Sequence, residues 1–198
     1  MSKTEELASE PISAAQTRDR LRADRARLRE FMASRPHLAK GGLWLLPSYQ
    51  AVYLHRWSHY FFKRDRRLLA RALWHLNLLL TGADISPLAD LGGGFVLVYP
   101  VCTIILGKAG RNLTVVGHSG FGGGMSTLDI GAGPGLPVLG DNVWLDLGAF
   151  ILGPVSVGDN AVIKARSLVT GDVPADSVAD SSPSRIRKML SEIAGETA

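Results

Sequence analysis

His118 is the only histidine after His75, and it stands in Val116-Gly117-His118-Ser119-Gly120. Imidazole is the side chain whose ordinary charge change falls near neutral pH, so this residue is a candidate general base. His55 and His59 form a second candidate pair, four apart on one helix face, a spacing that permits metal binding. Only two ligands are visible and no carboxylate stands at a supporting interval, so packing or hydrogen bonding is their expected role and no metal is expected. Cys102 is the sole cysteine. It excludes an intramolecular disulfide framework, fits a reducing compartment, and is expected to be buried and inert. The Gly122-Gly123-Gly124 run is not a phosphate loop, because no strand-to-helix context and no Lys-Ser/Thr follows it.

The elements that must position these groups are legible from one period. Over residues 139–174 an aliphatic residue recurs every sixth position: Leu139, Leu145, Ile151, Val157, Ile163 and Val169. Four residues after each comes a small or β-branched one: Val143, Ala149, Val155, Ala161, Ser167 and Val173. A period of six is neither helical nor simple strand alternation. It is the period of a parallel β-helix, in which each aliphatic residue points into a prism and three hexapeptides make one coil. A sandwich of ordinary short strands would not keep one residue class at every sixth position. Ile85, Leu91 and Leu97 carry the same spacing, with Ala89, Phe95 and Val101 four residues after them. The register slips after Cys102 and resumes at Ala109, Val115 and Phe121. Residues 122–137 are Gly-rich with no apolar period, and a solenoid excursion of that length is usually functional or disordered. His118 occupies a turn just before this excursion, so its ring is expected to face outward.

Ahead of the repeats the pattern is helical. Residues 1–14 are polar and read as a disordered tail. Residues 15–80 read as an α-helical segment. A first helix runs from Thr17, a candidate cap, to about Ala33, with Leu21, Leu28, Phe31 and Met32 on one face. After Pro47, the residues Tyr49, Val52, Tyr53, Trp57 and Tyr60 form an expected core-facing stripe. A third helix over residues 66–80 has a wide leucine face, expected to pack on its neighbours and the first coil, and Gly82 stops it. Residues 81–184 form the β-helix, and residues 185–198 cap its open end.

Composition agrees with a folded chain: 46% of residues are hydrophobic and 20% charged. Residues 1–80 hold 15 Lys/Arg against 7 Asp/Glu, and residues 81–198 hold 7 against 11. A basic half can bind nucleic acid or a membrane surface. Here the aromatics sit at core-like spacings, so a solvated helix face meeting an acidic surface is expected, with no nucleic-acid partner. The longest apolar stretch, residues 72–80, is broken by His75 and Asn77 and is too short for membrane insertion. The polar start has no signal-peptide core, and a cytoplasmic location is expected.

Several of these features in order carry a resemblance. A helical lead-in is followed by Thr81-Gly82-Ala83-Asp84-Ile85-Ser86-Pro87, then Leu91-Gly92-Gly93-Gly94, then hexapeptides closing on Val173-Pro174. Over roughly residues 47–188 this resembles the serine acetyltransferase family of hexapeptide acyltransferases. The resemblance implies a left-handed β-helix, homotrimers with active sites between adjacent subunits, acetyl-CoA as donor and a seryl hydroxyl as acceptor. The family's catalytic histidine lies in a strand motif of type I-x-H-G or I-x-H-P, which here reads Leu97-Val98-Tyr99-Pro100, so Tyr99 takes its place. A second family histidine is replaced by Leu136 in Gly135-Leu136-Pro137. Asp84 keeps the acceptor-site position. On the donor side Gly148, Ala149 and Ala165 remain small, while Asp146, Lys164 and Arg166 replace glycines. Ser182-Pro183-Ser184 half preserves the terminal turn, which places Ser182 among the donor-site residues.

These departures shape the functional reading. An ordinary tyrosine titrates at about 10 and is a weak base at neutral pH. His118 is the candidate that replaces the missing base. Lys164 and Arg166 are placed to grip a phosphate of CoA or of a carrier protein's phosphopantetheine, and equally to close the pantetheine channel. The preferred function is an acyltransferase that moves an acyl group from acetyl-CoA, another acyl-CoA or a carrier-bound thioester to a hydroxyl or amine of a small acceptor. The alternative is a catalytically inactive trimeric scaffold or regulator. A metal-dependent hydratase ranks last, because one solenoid histidine cannot supply three ligands.

Overall fold

The computed structural model describes residues 12–33 and 42–181. Helix α1, Ala14–Ala33, starts with a reciprocal cap: the Gln16 N–H donates to Ser13 Oγ at 3.1 Å, and the Ser13 N–H donates to Gln16 Oε1 at 2.7 Å. Thr17, expected as the cap, is instead buried inside the first turn, and its hydroxyl donates to the Ser13 carbonyl. A 3-10 turn at Leu43–Leu45 leads into α2, Pro47–Lys63, with proline at its first position. Helix α3, Arg67–Thr81, ends on Gly82 in the left-handed conformation.

Strands of two or three residues then wind a left-handed parallel β-helix of about five coils. The first face stacks β1 (Ala83–Ile85), β4 (Thr103–Ile105), β7 (Gly120–Gly122), β10 (Phe150–Leu152) and β13 (Leu168–Val169). The second stacks β2 (Asp90–Leu91), β5 (Lys108–Ala109), β8 (Val138–Leu139) and β11 (Ser156–Val157). The third stacks β3 (Val96–Leu97), β6 (Thr114–Val115), β9 (Trp144–Leu145), β12 (Val162–Ile163) and β14 (Val178–Ala179). The sixth-position residues form three inward columns, for example Ile85, Ile105, Phe121, Ile151 and Val169. All five are buried. The register slip now has a form. Leu97 to Ile105 is eight positions and Ile105 to Ala109 is four, so two residues added at one corner are removed at the next. Val101 is carried out of the prism by that insertion and is 52% exposed.

The corner between the second and third faces is held by a ladder of amides. Asn112 Nδ2 donates to Asn142 Oδ1, Asn142 Nδ2 to Asn160 Oδ1, and Asn160 Nδ2 to Asp176 Oδ1, at 3.0, 2.9 and 2.7 Å. Asparagine suits these positions because each has positive φ, a region it tolerates better than most residues.

The helices corrected two expectations. The core-facing side of α2 is Tyr49, Ala51, Val52, His55, Arg56, Ser58 and His59, while Tyr53, Trp57 and Tyr60 lie half-buried along a neighbouring face in edge-on contacts. Helix α3 buries only Ala70, Asn77 and Thr81, and its leucines turn outward, with Leu68 and Leu79 more than four-fifths exposed. Small and polar residues let α3 approach α2 closely: Ser58 Oγ donates to the Ala70 carbonyl and Asn77 Nδ2 to the Ala51 carbonyl. The basic residues of α1 and α2 also have a specific job. Arg20 donates to the Leu91 carbonyl, Arg56 to the Leu91 and Gly92 carbonyls, and Arg27 to the Gly94 and Leu113 carbonyls, so the guanidinium groups satisfy carbonyls at the corner between the second and third faces of the first two coils. The terminal cap expected over residues 185–198, and residues 1–11 of the expected tail, lie outside the described residues.

Candidate active site

Where the third face turns into the first face of the next coil, the backbone needs a left-handed residue. Gly82, Cys102, His118, Gly148 and Arg166 supply it, with φ of 73°, 56°, 48°, 71° and 61°. The column is stitched by hydrogen bonds from the Cys102 N–H to the Gly82 carbonyl, from Gly148 to Gly117 and from Arg166 to Leu147, at 3.1, 3.1 and 2.9 Å. Tyr99, His118, Gly148, Ala165 and Arg166 therefore share one edge of the solenoid, although the chain separates them widely.

Tyr99 leaves β3 with its N–H on the Val116 carbonyl at 2.8 Å and is 52% exposed. Gly117 lies directly against it. A Cβ at Gly117 would stand 2.7 Å from both Tyr99 Cβ and the Tyr99 carbonyl oxygen, so only glycine fits. The Gly117 N–H also donates to Ser119 Oγ at 3.2 Å, which shapes the turn that presents His118. His118 is exposed, as its turn position required, and its ring has no hydrogen-bond partner among the described residues. A small cavity of about 160 Å³ adjoins Tyr99, walled by Leu28, Met32, Leu46 and Val98.

Asp84 stands two residues past Gly82, on the outer side of β1, and is half-buried. Its Oδ1 accepts the Trp74 indole N–H at 2.8 Å. The sequence gives no sign of this contact, because Trp74 falls within the apolar pattern of α3; the helix ends at Gly82 and the chain doubles back to set the indole beside the carboxylate.

On the donor side the edge is mixed. Lys164, Ala165 and Arg166 are exposed, and neither cationic side chain makes an ion pair among the described residues. The Arg166 stem lies along the Gly148 backbone, its Cγ 3.5 Å from where a Cβ would be. Ala149 does not share the edge. Its side chain is fully buried in the prism, because it stands one position past the left-handed residue and points inward like the other fifth-position residues. Ser182 lies outside the described residues. The excursion over residues 122–137 closes on itself: Asp129 Oδ1 accepts the Gly131 and Gly133 N–H groups, and the Gly135 N–H donates to the Leu128 carbonyl at 2.6 Å. Leu136 packs within it, its methyls against Gly123 and Gly133, while Met125 and Leu128 project outward.

The other chemical candidates lie elsewhere. His55 and His59 are buried with ring centroids 6.0 Å apart, and both are held below the ordinary imidazole range by burial. His59 Nδ1–H donates to the Pro87 carbonyl at 2.8 Å, a structural tie between α2 and the first coil. No group of three His, Cys, Asp or Glu among the described residues is arranged to hold a metal. Cys102 is exposed on the corner rather than buried, carried outward by the same insertion as Val101. No helix among the described residues is long and apolar enough to cross a membrane.

No family model matches the chain. It is 33% identical over 153 residues to the serine acetyltransferase of Synechococcus elongatus, an alignment covering 75% of this chain and 61% of that protein. The serine acetyltransferase of Helicobacter pylori is 32% identical over 139 residues, covering 69% of this chain and 79% of the relative. The chain thus spans about three-fifths of the length of some relatives and about four-fifths of others. Among solved structures, soybean serine acetyltransferase complexed with serine superposes with a TM-score of 0.73 at 28% identity, covering 86% of this chain and 69% of that one. In sequence and in fold alike, the chain belongs to the serine acetyltransferase family.

Proposed function

We propose that this protein transfers an acyl group from acetyl-CoA, or another acyl thioester, to the hydroxyl of a small acceptor, with serine the first to test. The observation that carries the reading is the shared edge: Tyr99, His118, Gly148, Ala165 and Arg166 line one corner, two residues from Asp84 at its lower end. The relatives are serine acetyltransferases, and serine is bound in the soybean structure. In this scheme Asp84 holds the acceptor's amino group. His118 takes the hydroxyl proton as the oxygen attacks the thioester carbonyl, and the CoA thiolate leaves. Lys164 and Arg166 bind phosphate groups of CoA, or of a phosphopantetheine on a carrier protein. Tyr99 faces the reacting centre and offers a phenolic hydrogen bond. No metal is required.

The site belongs to a homotrimer in this reading. The first face and the corner expose Tyr99, Val101, Ile104, Leu147, Leu152 and Leu168, an apolar surface suited to a second copy of the chain. Met125 and Leu128 on the excursion would reach across the cleft. The cytoplasm, where CoA thioesters are made and used, is the proposed location.

One observation favours a second reading, a silent trimeric scaffold. Both family histidines are replaced, and Leu136 serves packing in its loop. A thiol-release assay separates the two. Purified protein with acetyl-CoA and L-serine should release free CoA, and His118→Ala should remove at least ~99% of the rate, the size of a general-base contribution. Unchanged turnover in that variant would remove His118 from the mechanism. Failure to bind any acyl thioester in calorimetry would favour the scaffold.

A further inference from the structure

We infer that Trp74 is the positioning residue of the acceptor subsite, its indole N–H fixing one oxygen of Asp84 so that the other is presented to the acceptor's amino group. The inference rests on the reading of Asp84 as the acceptor carboxylate. The geometry around both side chains supports it. Trp74 Nε1 lies 2.8 Å from Asp84 Oδ1, while Oδ2 has no hydrogen-bond partner among the described residues. A carboxylate can accept about four hydrogen bonds, so one indole donor leaves capacity for an ammonium group. An aspartate on a strand has two free torsions, and a single strong donor is enough to choose one rotamer before the acceptor arrives. The indole is itself held, because the His75 ring stacks on it with centroids 5.3 Å apart and planes at 19°.

The geometry also narrows the acceptor. The indole flanks Asp84 on one side, and Ile104 is the register partner of Asp84 on the coil above. The free oxygen is therefore bordered by an aromatic edge and an aliphatic side chain. Such a pocket accepts a compact primary ammonium, as in a small amino acid. It disfavours a guanidinium, which needs both carboxylate oxygens for a bidentate pair.

The test uses the full chain. In wild-type protein the Trp74 indole N–H resonance, assigned by its loss in Trp74→Phe, should shift on titration with L-serine. Trp74→Phe keeps a ring and removes the donor. In the thiol-release assay it should raise the acceptor KM about tenfold, the cost of a hydrogen bond to a charged group, with acetyl-CoA KM and kcat within about twofold. Asp84→Asn combined with Trp74→Phe should be no worse than Asp84→Asn alone. An indole resonance that ignores L-serine and other small amino acids overturns the inference, whether or not the protein turns over. An equal rise in both KM values with a lowered melting temperature would show a purely structural tie and overturn it too. Absence of thiol release with a clear indole shift would instead retain the subsite and count against the transferase reading.

Discussion

Arg56 and Asp24 form a buried fork, with Arg56 Nε 2.9 Å from Asp24 Oδ2 and Nη2 3.0 Å from Oδ1, both side chains at most 2% exposed. Both charges have further hydrogen-bond partners. Arg56 also donates to the Leu91 and Gly92 carbonyls, and Asp24 Oδ1 accepts the Phe95 N–H at 2.8 Å. One pair thus joins α1, α2 and the first coil. Removing one partner strands the other charge in the interior. Arg56→Met should cost about 3–5 kcal/mol in urea unfolding, and Asp24→Leu with Arg56→Met should recover part of that loss because no orphan charge remains. A single-variant loss under about 1 kcal/mol would show that water reaches the pair.

The neighbouring His59 gives the fold an acid limb. Its imidazole is lowered to about 4, chiefly by burial. Asp90, 3.7 Å from Nε2, pulls the other way but is already paired with Arg20 at 2.8 Å, so burial prevails. A base whose folded value is depressed is neutral in the native state and takes up a proton first in the unfolded chain. Stability should therefore be full above about 6.5, fall as pH drops toward 4, and lose on the order of 3 kcal/mol from this residue. His55, lowered in the same direction, adds to the limb. His59→Gln should flatten the unfolding free energy between pH 6.5 and 4. An unchanged slope would place the effect in His55 or elsewhere.

The first face makes a prediction about assembly. Ile104 and Leu168 stand on register-linked strands of that face and are 51% and 64% exposed. Ile104→Glu and Leu168→Glu should turn a trimer into monomers in sedimentation experiments while keeping the far-UV spectrum, since both side chains point away from the prism. Monomers should also lose thiol release, because the proposed site needs a neighbour's surface. A trimer that survives both substitutions would move the interface to another face, with the exposed leucines of α3 next in line.

How much of this was legible beforehand depends on what each residue type can signal alone. The prism was readable because its three interior columns take apolar residues at a fixed period along the chain, and Leu139, Leu145, Ile151, Val157 and Ile163 keep it without a break. The slip after Cys102 was visible, but not that its two extra residues are withdrawn at the next corner. Pattern records spacing and not which corner absorbs it. The leucines of α3 misled, because an apolar stripe is the same string whether it meets the core or solvent. The arginine clamp was hidden for a related reason: its partners are backbone carbonyls, which carry no residue identity. Trp74 escaped because a contact across a helix cap depends on the direction in which the chain returns.

The edge also predicts what a reverted site would do. Tyr99 stands where the resemblance places a histidine, and Val98 where an aspartate often precedes that histidine in the family; Tyr99 lies under Gly117 beside the coil that presents His118. Gly117 is compatible with any side chain that shares tyrosine's first carbon, so a histidine at 99 should be tolerated. Val98→Asp with Tyr99→His restores a base and a group to orient it. Since a positioned general base contributes ~10²- to ~10⁴-fold, thiol release with L-serine should rise at least ~tenfold when the pair is introduced into the His118→Ala variant, even with imperfect alignment. Its pH profile should gain an ascending limb at about 6.5, the ordinary imidazole value. In the reverted protein His118→Ala should matter less than in wild type, because two bases then serve one proton. If the rate stays flat and His118→Ala remains fully inactivating, His118 is the base this edge is built around and Tyr99 contributes by hydrogen bonding alone.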